Sequence, residues 1–294
     1  AIPRRQRQMC IRDSIKADMK ILYQGSEGAY SQLAALEVYP KMDTISCKTF
    51  EECFQKCTED ENLITIIPVE NSIAGRVADI QYLMNKYKLQ IYAEHFHKVS
   101  HNLMALPGIK IKNVKSVRSH SQAISQCQKV IKENNLEPII AADTAGSAKF
   151  ISINSKKDEA AIASTLAAKI YNLEIIKKNI EDDKKNVTRF LIMGKNAKHP
   201  EFKKDKYITS CIFKVKDKPA ALYKCLGGFA TNNISLSKLE SFSEHSSFEQ
   251  YLFLCDIVGH IEDPKVQKSL EELGFHTVSL DILGVYKASH FRDI

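Results

Sequence analysis

The chain has 294 residues, 44% hydrophobic and 26% charged, with a formal net charge of +7, an ordinary balance for a globular protein with room for more than one core. No apolar run approaches the roughly 20 residues that span a bilayer, and the start lacks an apolar signal-peptide core, so a cytoplasmic protein without a membrane partner is expected. The charge does not describe a nucleic-acid track: Arg4, Arg5, Arg7, Arg12 and Lys16 against Asp13 put +4 into the first sixteen residues, leaving +3 interspersed over the rest, and no RNA-type Gly/aromatic motif follows.

That opening stretch, 1–18, lacks hydrophobic periodicity and reads as a disordered or non-native basic tail outside the fold. From Met19 onward strand, turn and helix alternate. Residues 20–23 form a strand, Gln24-Gly25-Ser26-Glu27-Gly28-Ala29-Tyr30-Ser31 a turn, and 32–39 a helix ended by Pro40. A strand over 45–50 and a helix over 51–59 follow, then a strand over 63–69 apolar enough to be buried on both faces. It runs through Glu70-Asn71-Ser72-Ile73-Ala74-Gly75-Arg76 into a helix ending near 86. This alternation predicts α/β structure with a mainly parallel sheet.

An extended segment over 89–106 is long enough to cross between two lobes. His95 and His97 share one strand face in it, with His101 beyond, but no carboxylate or cysteine stands at matching spacing, so no metal site is expected. The eight cysteines are scattered without a C-x-x-C pair and read as reduced, mostly buried thiols. A second lobe repeats the theme. A strand over 114–118 leads to a helix opened by Ser119-His120-Ser121-Gln122 and reaching about 133. A strand over 138–142 leads to a helix opened by Asp143-Thr144-Ala145-Gly146-Ser147, and a strand over 160–163 to a helix over 164–171. Residues 173–180 return towards Thr188, and two crossings near 95 and 180 would give a hinged cleft.

Four turns, at 26–31, 70–75, 119–122 and 143–147, carry small hydroxyl, amide or glycine residues. Free N–H groups at helix starts bind anions, although plain N-capping uses the same residues. Beside them stands Asn186-Val187-Thr188-Arg189-Phe190, opening an apolar strand. A hydroxyl next to a guanidinium suits a small carboxylate that loses an oxygen leaving group; an ordinary strand start explains the same residues. Residues 195–206 are polar and read as a linker. Beyond them come a strand over 208–216, a helix over 219–231 with Pro219 in its first turn, strands over 234–241 and 250–258, a helix over 263–273 and a strand over 277–283. That order is βαββαβ, a ferredoxin-like unit.

Five stretches in this order, Tyr23 to Ser31, Pro68-Val69-Glu70-Asn71-Ser72, Ser119-His120-Ser121-Gln122-Ala123, Asp143-Thr144-Ala145-Gly146-Ser147-Ala148 and Asn186-Val187-Thr188-Arg189-Phe190, resemble the prephenate dehydratase family. The resemblance covers nearly everything beyond the tail. It implies a two-lobed, periplasmic-binding-protein-like catalytic domain over 19–194, the linker, and a regulatory ACT domain over 207–286. It also implies a hydro-lyase that turns prephenate into phenylpyruvate on the route to phenylalanine, with no metal or organic cofactor.

By the same analogy Thr188 is the catalytic threonine, hydrogen bonding or donating a proton to the departing hydroxyl, helped by Arg189, His120 or Glu70. Asn71, Ser72, Ser119, Gln122 and Thr144 would orient the two carboxylates and the carbonyl, with Gly146 and Phe190 also lining the substrate site. Glu70 is either a protonated donor or a brace, and Arg189 either holds a carboxylate or braces the site from outside. Phenylalanine is the expected effector, bound near Ala220, Ala221, Leu222, Asn233, Leu236, Glu240 and Ser241 between paired ACT domains of a homodimer or homotetramer. Two departures bear on that expectation: Ala220 replaces the usual glycine of a Gly-Ala-Leu motif, and Phe242-Ser243 replaces the usual Arg-Pro after Glu240-Ser241. Arogenate dehydration and pure amino-acid sensing are the alternatives.

Overall fold

The computed structural model describes residues 18–77, 80–243 and 251–293. The basic tail, apart from its last residue, therefore lies outside the described residues. In the first lobe β1 (Lys20–Gln24), α1 (Tyr30–Val38), β2 (Thr44–Cys47), α2 (Phe50–Glu59) and β3 (Leu63–Asn71) alternate as the pattern of apolar runs and breakers implies. Local chemistry sets the boundaries. Thr49 caps α2 by accepting from the Glu52 amide, and Glu51 and Glu52 complement the helix dipole in its first turn.

The chain then makes β4 (Gly75–Arg76), α3 (Ile80–Tyr87) and β5 (Gln90–Lys98), and leaves for the second lobe. There β6 (Asn102–Ala105), β7 (Ser116–His120), α4 (Ser121–Ser125), α5 (Gln128–Glu133), β8 (Glu137–Ala141), α6 (Thr144–Ile153), β9 (Glu159–Ala163), α7 (Thr165–Ile170) and β10 (Glu174–Lys177) form a five-stranded sheet of order β10-β6-β9-β7-β8. The return strand β11 (Val187–Gly194) enters the first sheet between β3 and β5, giving the path β2-β1-β3-β11-β5 with β4 beside β3.

Several local expectations are corrected. The first sheet is mixed: β1 runs parallel to β2 and β3, but β11 runs antiparallel to both of its neighbours. The second sheet has parallel β7, β8 and β9 with antiparallel β6 and β10. A chain that crosses to a second lobe and comes back must re-enter in the opposite direction, which alternation alone does not reveal. The segment over 89–106 is two strands, one in each sheet, rather than one. Residues 70–76 form a hairpin, with Glu70 opposite Arg76 and Asn71 opposite Gly75, instead of opening a helix. The single helix expected from 119 to 133 breaks into α4 and α5 at Gln126 and Cys127.

The C-terminal unit is β12 (Tyr207–Val215), α8 (Ala221–Thr231), β13 (Leu236–Ser243), β14 (Tyr251–Val258), α9 (Pro264–His276) and β15 (Thr277–Lys287), an antiparallel sheet of order β13-β14-β12-β15. Pro219 stands outside α8. The helix starts at Ala221 after Ala220, whose φ of 57° is left-handed.

Period-2 alternation lets this sheet serve two cores. Cys211, Phe213, Phe253 and Cys255 face α8 and α9, while Ile208, Ile212, Leu252 and Leu254 join Leu22, Phe54, Ile67 and Met84 of the first lobe. The two surfaces approach so closely that a Cβ on Gly284 would lie 2.6 Å from the Ile91 carbonyl oxygen. The lobes of the cleft share a further core, in which Tyr23, Ala34 and Ile66 meet Met104, Ala145, Ala163 and Ala167. All seven cysteines in the described residues are free and buried.

Candidate functional site

β11 is the element that both lobes and the C-terminal unit touch, and its alternating faces separate two kinds of chemistry. Thr188 and Phe190 project from one face. Across the strand pairings Thr188 stands opposite Asn71 and His97, and Phe190 opposite His95.

Thr188 is 9% exposed, and its Oγ1 accepts a hydrogen bond of 2.9 Å from Asn71 Nδ2. The orientation of that amide is set by its other end. Asn71 Oδ1 accepts from the backbone amides of Ile73 at 3.0 Å and Ala74 at 2.8 Å, as the tight β3–β4 hairpin requires. Only the NH2 end is left for Thr188. Among the described residues the threonine hydroxyl has no acceptor for its own hydrogen, so it remains a donor with its oxygen held by an amide N–H.

The same Asn71 amide donates to Asn186 Oδ1 at 2.7 Å, and Asn186 Nδ2 reaches Gln126 Oε1 of the second lobe at 2.8 Å. Gln126 Oε1 also lies 2.9 Å from His101 Nε2, and His101 Nδ1 is 2.8 Å from the Tyr30 hydroxyl. With Gln126 Oε1 as acceptor, His101 donates through Nε2 and accepts at Nδ1. Burial holds its pKa below the usual histidine value, which keeps the ring neutral. Burial also pushes the Tyr30 phenol well above its ordinary range. A continuous polar chain of neutral groups thus runs from Thr188 through both lobes to the start of α1. Asn186, Gln126, His101 and Tyr30 carry no assigned role in the sequence reading, although Asn186 and Tyr30 stand inside motifs it singles out.

Other contacts close the lobes on each other. Ser26 Oγ donates to Asp143 Oδ2 at 3.1 Å, and Asp143 caps α6 through the Gly146 amide. Ser164 Oγ donates to the Gly28 carbonyl at 2.5 Å, and the Tyr171 hydroxyl to the Glu27 carbonyl at 2.8 Å. Gly28, at φ 88°, sits so near α7 that a Cβ there would meet Ala167 Cα at 2.6 Å.

The expected substrate-binding residues divide. His120 caps α4 by accepting from the Gln122 amide, and Gln122 is exposed. Thr144 and Gly146 are half-buried at the start of α6. Ser119 is fully buried, and its hydroxyl is committed to the Ile162 carbonyl at 2.7 Å. Ser72 donates to the Lys185 carbonyl at 2.8 Å and accepts from the Val187 amide at 3.0 Å, so it ties down the loop before β11.

Glu70 and Arg189 stand opposite each other on the reverse face of the sheet. Glu70 lies 3.4 Å from Lys238 of the C-terminal unit. Every guanidinium nitrogen of Arg189 is engaged inside the fold and the side chain is only 5% exposed: Nε donates to Glu94 at 2.9 Å, Nη1 to Asp256 at 2.6 Å and Nη2 to the Tyr286 hydroxyl at 3.0 Å. Contact between Arg189 and substrate is therefore corrected to bracing from outside, because period 2 puts neighbours on opposite faces. Glu70 is likewise a brace, and neither can hand a proton to Thr188.

Of the expected effector residues, Ala220, Ala221 and Leu222 open α8, while Asn233 (φ 58°) and Leu236 lie past its far end. Glu240 turns to the first lobe, accepting from Gln81 at 3.0 Å and pairing with Lys238 at 2.9 Å. Ser241 lines an open pocket of about 290 Å³ with Arg76, Gln81, Tyr82, Phe242, Ser243 and Tyr251.

One metal expectation needs correction at the level of its premise. A carboxylate does meet the paired histidines: Glu37, in the last turn of α1, has Oε2 2.9 Å from His95 Nε2 and 2.9 Å from His97 Nδ1. Partial burial pushes the Glu37 carboxyl up, but the two imidazole bonds outweigh it and hold the group at about 2.

Fold and site together define a two-lobed mixed α/β protein with a nearly buried donor hydroxyl beside the junction of its lobes and a βαββαβ unit pressed against its first lobe. The family model for prephenate dehydratase matches residues 21–198. A bifunctional N-acyl-homoserine lactone acylase/prephenate dehydratase of Komagataeibacter europaeus is 38% identical over 272 residues, 92% of this chain and 97% of that protein. The chloroplastic arogenate dehydratase/prephenate dehydratase 1 of Arabidopsis thaliana is 35% identical over 288 residues, 93% of this chain and 73% of that protein.

Among solved structures, a prephenate dehydratase of Arthrobacter aurescens in complex with L-Phe superposes with a TM-score of 0.85 at 25% identity, covering 92% of this chain and 90% of that one. The chain belongs to the prephenate dehydratase family, a family of hydro-lyases. Among the described residues no helix is long and apolar enough to cross a membrane.

Proposed function

We propose that residues 19–194 form a periplasmic-binding-protein-like catalytic domain that dehydrates and decarboxylates prephenate, and that 207–286, after the linker 195–206, form an ACT regulatory domain. In this reaction the bond to the ring carboxylate breaks and its electron pair enters the ring. The carbon–hydroxyl bond opposite breaks, and the departing oxygen takes a proton and leaves as water. Aromatisation drives the step, so the protein supplies position and one proton donor.

The observation that carries this reading is the Asn71–Thr188 hydrogen bond. Asn71 occupies a lone pair of Oγ1, which frees the Thr188 hydrogen for the leaving hydroxyl. The same amide N–H steadies negative charge on Oγ1 as that hydrogen moves away. Replacing Thr188 with Ala should lower turnover of prephenate by about 10²–10⁴-fold, with circular dichroism unchanged and Thr188→Ser recovering part of the loss. Unaltered turnover in Thr188→Ala would overturn the assignment.

Arogenate differs by an amine in place of the ketone, and plant relatives carry that name. Parallel turnover measurements on the two substrates identify the preferred one, and an N-acyl-homoserine lactone in the same series reads whether the second activity named for the Komagataeibacter relative extends to this chain. The solved relative in complex with L-Phe supports phenylalanine as effector, and our reading places it at the βαββαβ unit of a homo-oligomer. Inhibition by phenylalanine, with sedimentation to obtain the mass, tests both expectations.

A further inference from the structure

Glu37, His95 and His97 converge although nothing in the dehydration reaction asks for them. His95 and His97 are two residues apart on β5 and so project from one face. Helix α1 lays Glu37 over that face, and one ligating atom from each residue lies within 4.8 Å of the others. Both rings meet the same carboxylate oxygen, each at 2.9 Å. The opposite nitrogen of His97, Nε2, is buried without any partner among the described residues.

We infer that Glu37, His95 and His97 form a site for a single divalent transition-metal ion of the zinc class. Two imidazoles and one carboxylate on a tetrahedral ion require ligand atoms about 3.3 Å apart, from metal–ligand lengths of about 2.0–2.1 Å. The present nitrogen–oxygen separations of 2.9 Å need to open by only a few tenths of an ångström. Glu37 is 43% exposed and His95 25% exposed in their side chains, so the carboxylate can move and an ion can enter from solvent, while His97 at 5% anchors the inner side.

Two imidazole nitrogens favour late first-row ions over magnesium or calcium. On binding, each ring presents a lone pair where it had presented N–H to Glu37. For His97 no acceptor at Nε2 locks the opposite tautomer. The outer hydrogen bond that usually strengthens a metal-bound imidazole is absent there among the described residues, so the site should bind more weakly than a fully supported one. The fourth position is left for water. The ion would lie one cross-strand step from Thr188, since His97 pairs with it.

The test is titration of the full chain with Co2+ and Zn2+, followed by calorimetry and by the visible spectrum of the cobalt form. One equivalent should bind with a nitrogen/oxygen-type spectrum, and Zn2+ should displace it. Glu37→Gln, which keeps an acceptor for the histidines, and His95→Gln should each weaken binding at least tenfold while circular dichroism stays unchanged. No uptake by the wild type would overturn the assignment. So would a thiolate-to-cobalt charge-transfer band, which assigns the ion to cysteines, or wild-type affinity in both variants.

Discussion

The two faces of β11 differ in what they ask of neighbouring residues. On one, Phe190 is buried in the core the lobes share instead of lining a substrate site, and the polar groups beside Thr188, namely Asn71, Asn186, Gln126, His101 and Tyr30, are joined by neutral hydrogen bonds. On the other, Arg189 is buried in a four-charge cluster. Glu94 accepts from Arg189 and, through both carboxylate oxygens, from Arg292, while Asp256 takes Arg189 Nη1 and the Ser210 hydroxyl. Two cations and two carboxylates balance, and the Tyr286 hydroxyl accepts from Arg189 Nη2. Glu94 and Asp256 come from β5 and β14, so this face is the joint between the cleft domain and the C-terminal unit. One residue of strand rise separates the Thr188 hydroxyl, held by Asn71, from a guanidinium bolted to the neighbouring sheet. Any shift of that sheet must therefore act on the backbone that carries Thr188.

The sharpest way to break the comparison is to truncate both residues. Arg189→Leu leaves Asp256 buried without its cation and Glu94 with Arg292 alone, and should cost about 3–5 kcal/mol of unfolding free energy. Thr188→Val removes one accepted hydrogen bond at the edge of the cleft and should cost only about 0.5–1.5 kcal/mol. Urea denaturation reads both values. Similar costs for the two would mean that the faces are energetically alike. Asp256→Asn, distant in sequence but on the Arg189 side, should destabilise like Arg189→Leu and non-additively with it.

Gly28→Ala addresses the closed lobes next. The alanine meets Ala167 backbone at a positive φ, so the lobes must part or the turn must strain. A loss of about 1–3 kcal/mol, with faster proteolysis between the lobes, is expected. An unchanged melting temperature would show that the lobes close without this contact.

His101 gives the cleft face a pH signature. Its folded pKa is lowered by burial, so below the ordinary histidine value of about 6.5 the unfolded chain binds a proton that the folded chain refuses. This contribution to stability is complete above that value and is lost as pH falls through the window between it and the lowered folded pKa. His101→Gln, which can still donate towards Gln126, should flatten the dependence of stability on pH between 7 and 5. An identical slope in the variant would remove His101 from the account.

How much of this was legible follows the range of each interaction. The strands, most helices and the βαββαβ order depend on local periodicity, and these appear close to where the pattern puts them. Thr188 and Asn71 stood in two of the five motifs, 117 residues apart, but their bond depends on β11 entering antiparallel beside β3, which only the return path decides. Arg189 was left between two roles for a simpler reason. Its partners Glu94 and Asp256 lie 95 and 67 residues away, and nothing in the local charge pattern marks them. Glu37 was missed in the same way, being 58 residues from His95 across two helices and three strands. The break of the helix at Gln126 was invisible as well, yet it turns that amide towards Asn186.

The smallest effect concerns the departure from the family's glycine at the head of α8. Ala220 occupies the left-handed region at φ 57° immediately before the helix, where a Cβ crowds the following carbonyl. Alanine there should cost roughly 1 kcal/mol relative to the glycine of the common motif, because glycine reaches the same conformation without strain. Part of the gain from restoring glycine is offset by its larger freedom in the unfolded chain. Ala220→Gly should therefore raise stability by somewhat less than about 1 kcal/mol. Turnover of the cleft should be untouched, since α8 packs on the side of the sheet away from β11. If phenylalanine inhibits, the variant also asks whether backbone conformation or side-chain bulk at 220 sets its affinity. A stabilised variant with unchanged inhibition assigns the departure to folding alone, and a tightened inhibition assigns it to the effector site. A destabilised variant would mean that the left-handed turn is not what position 220 requires.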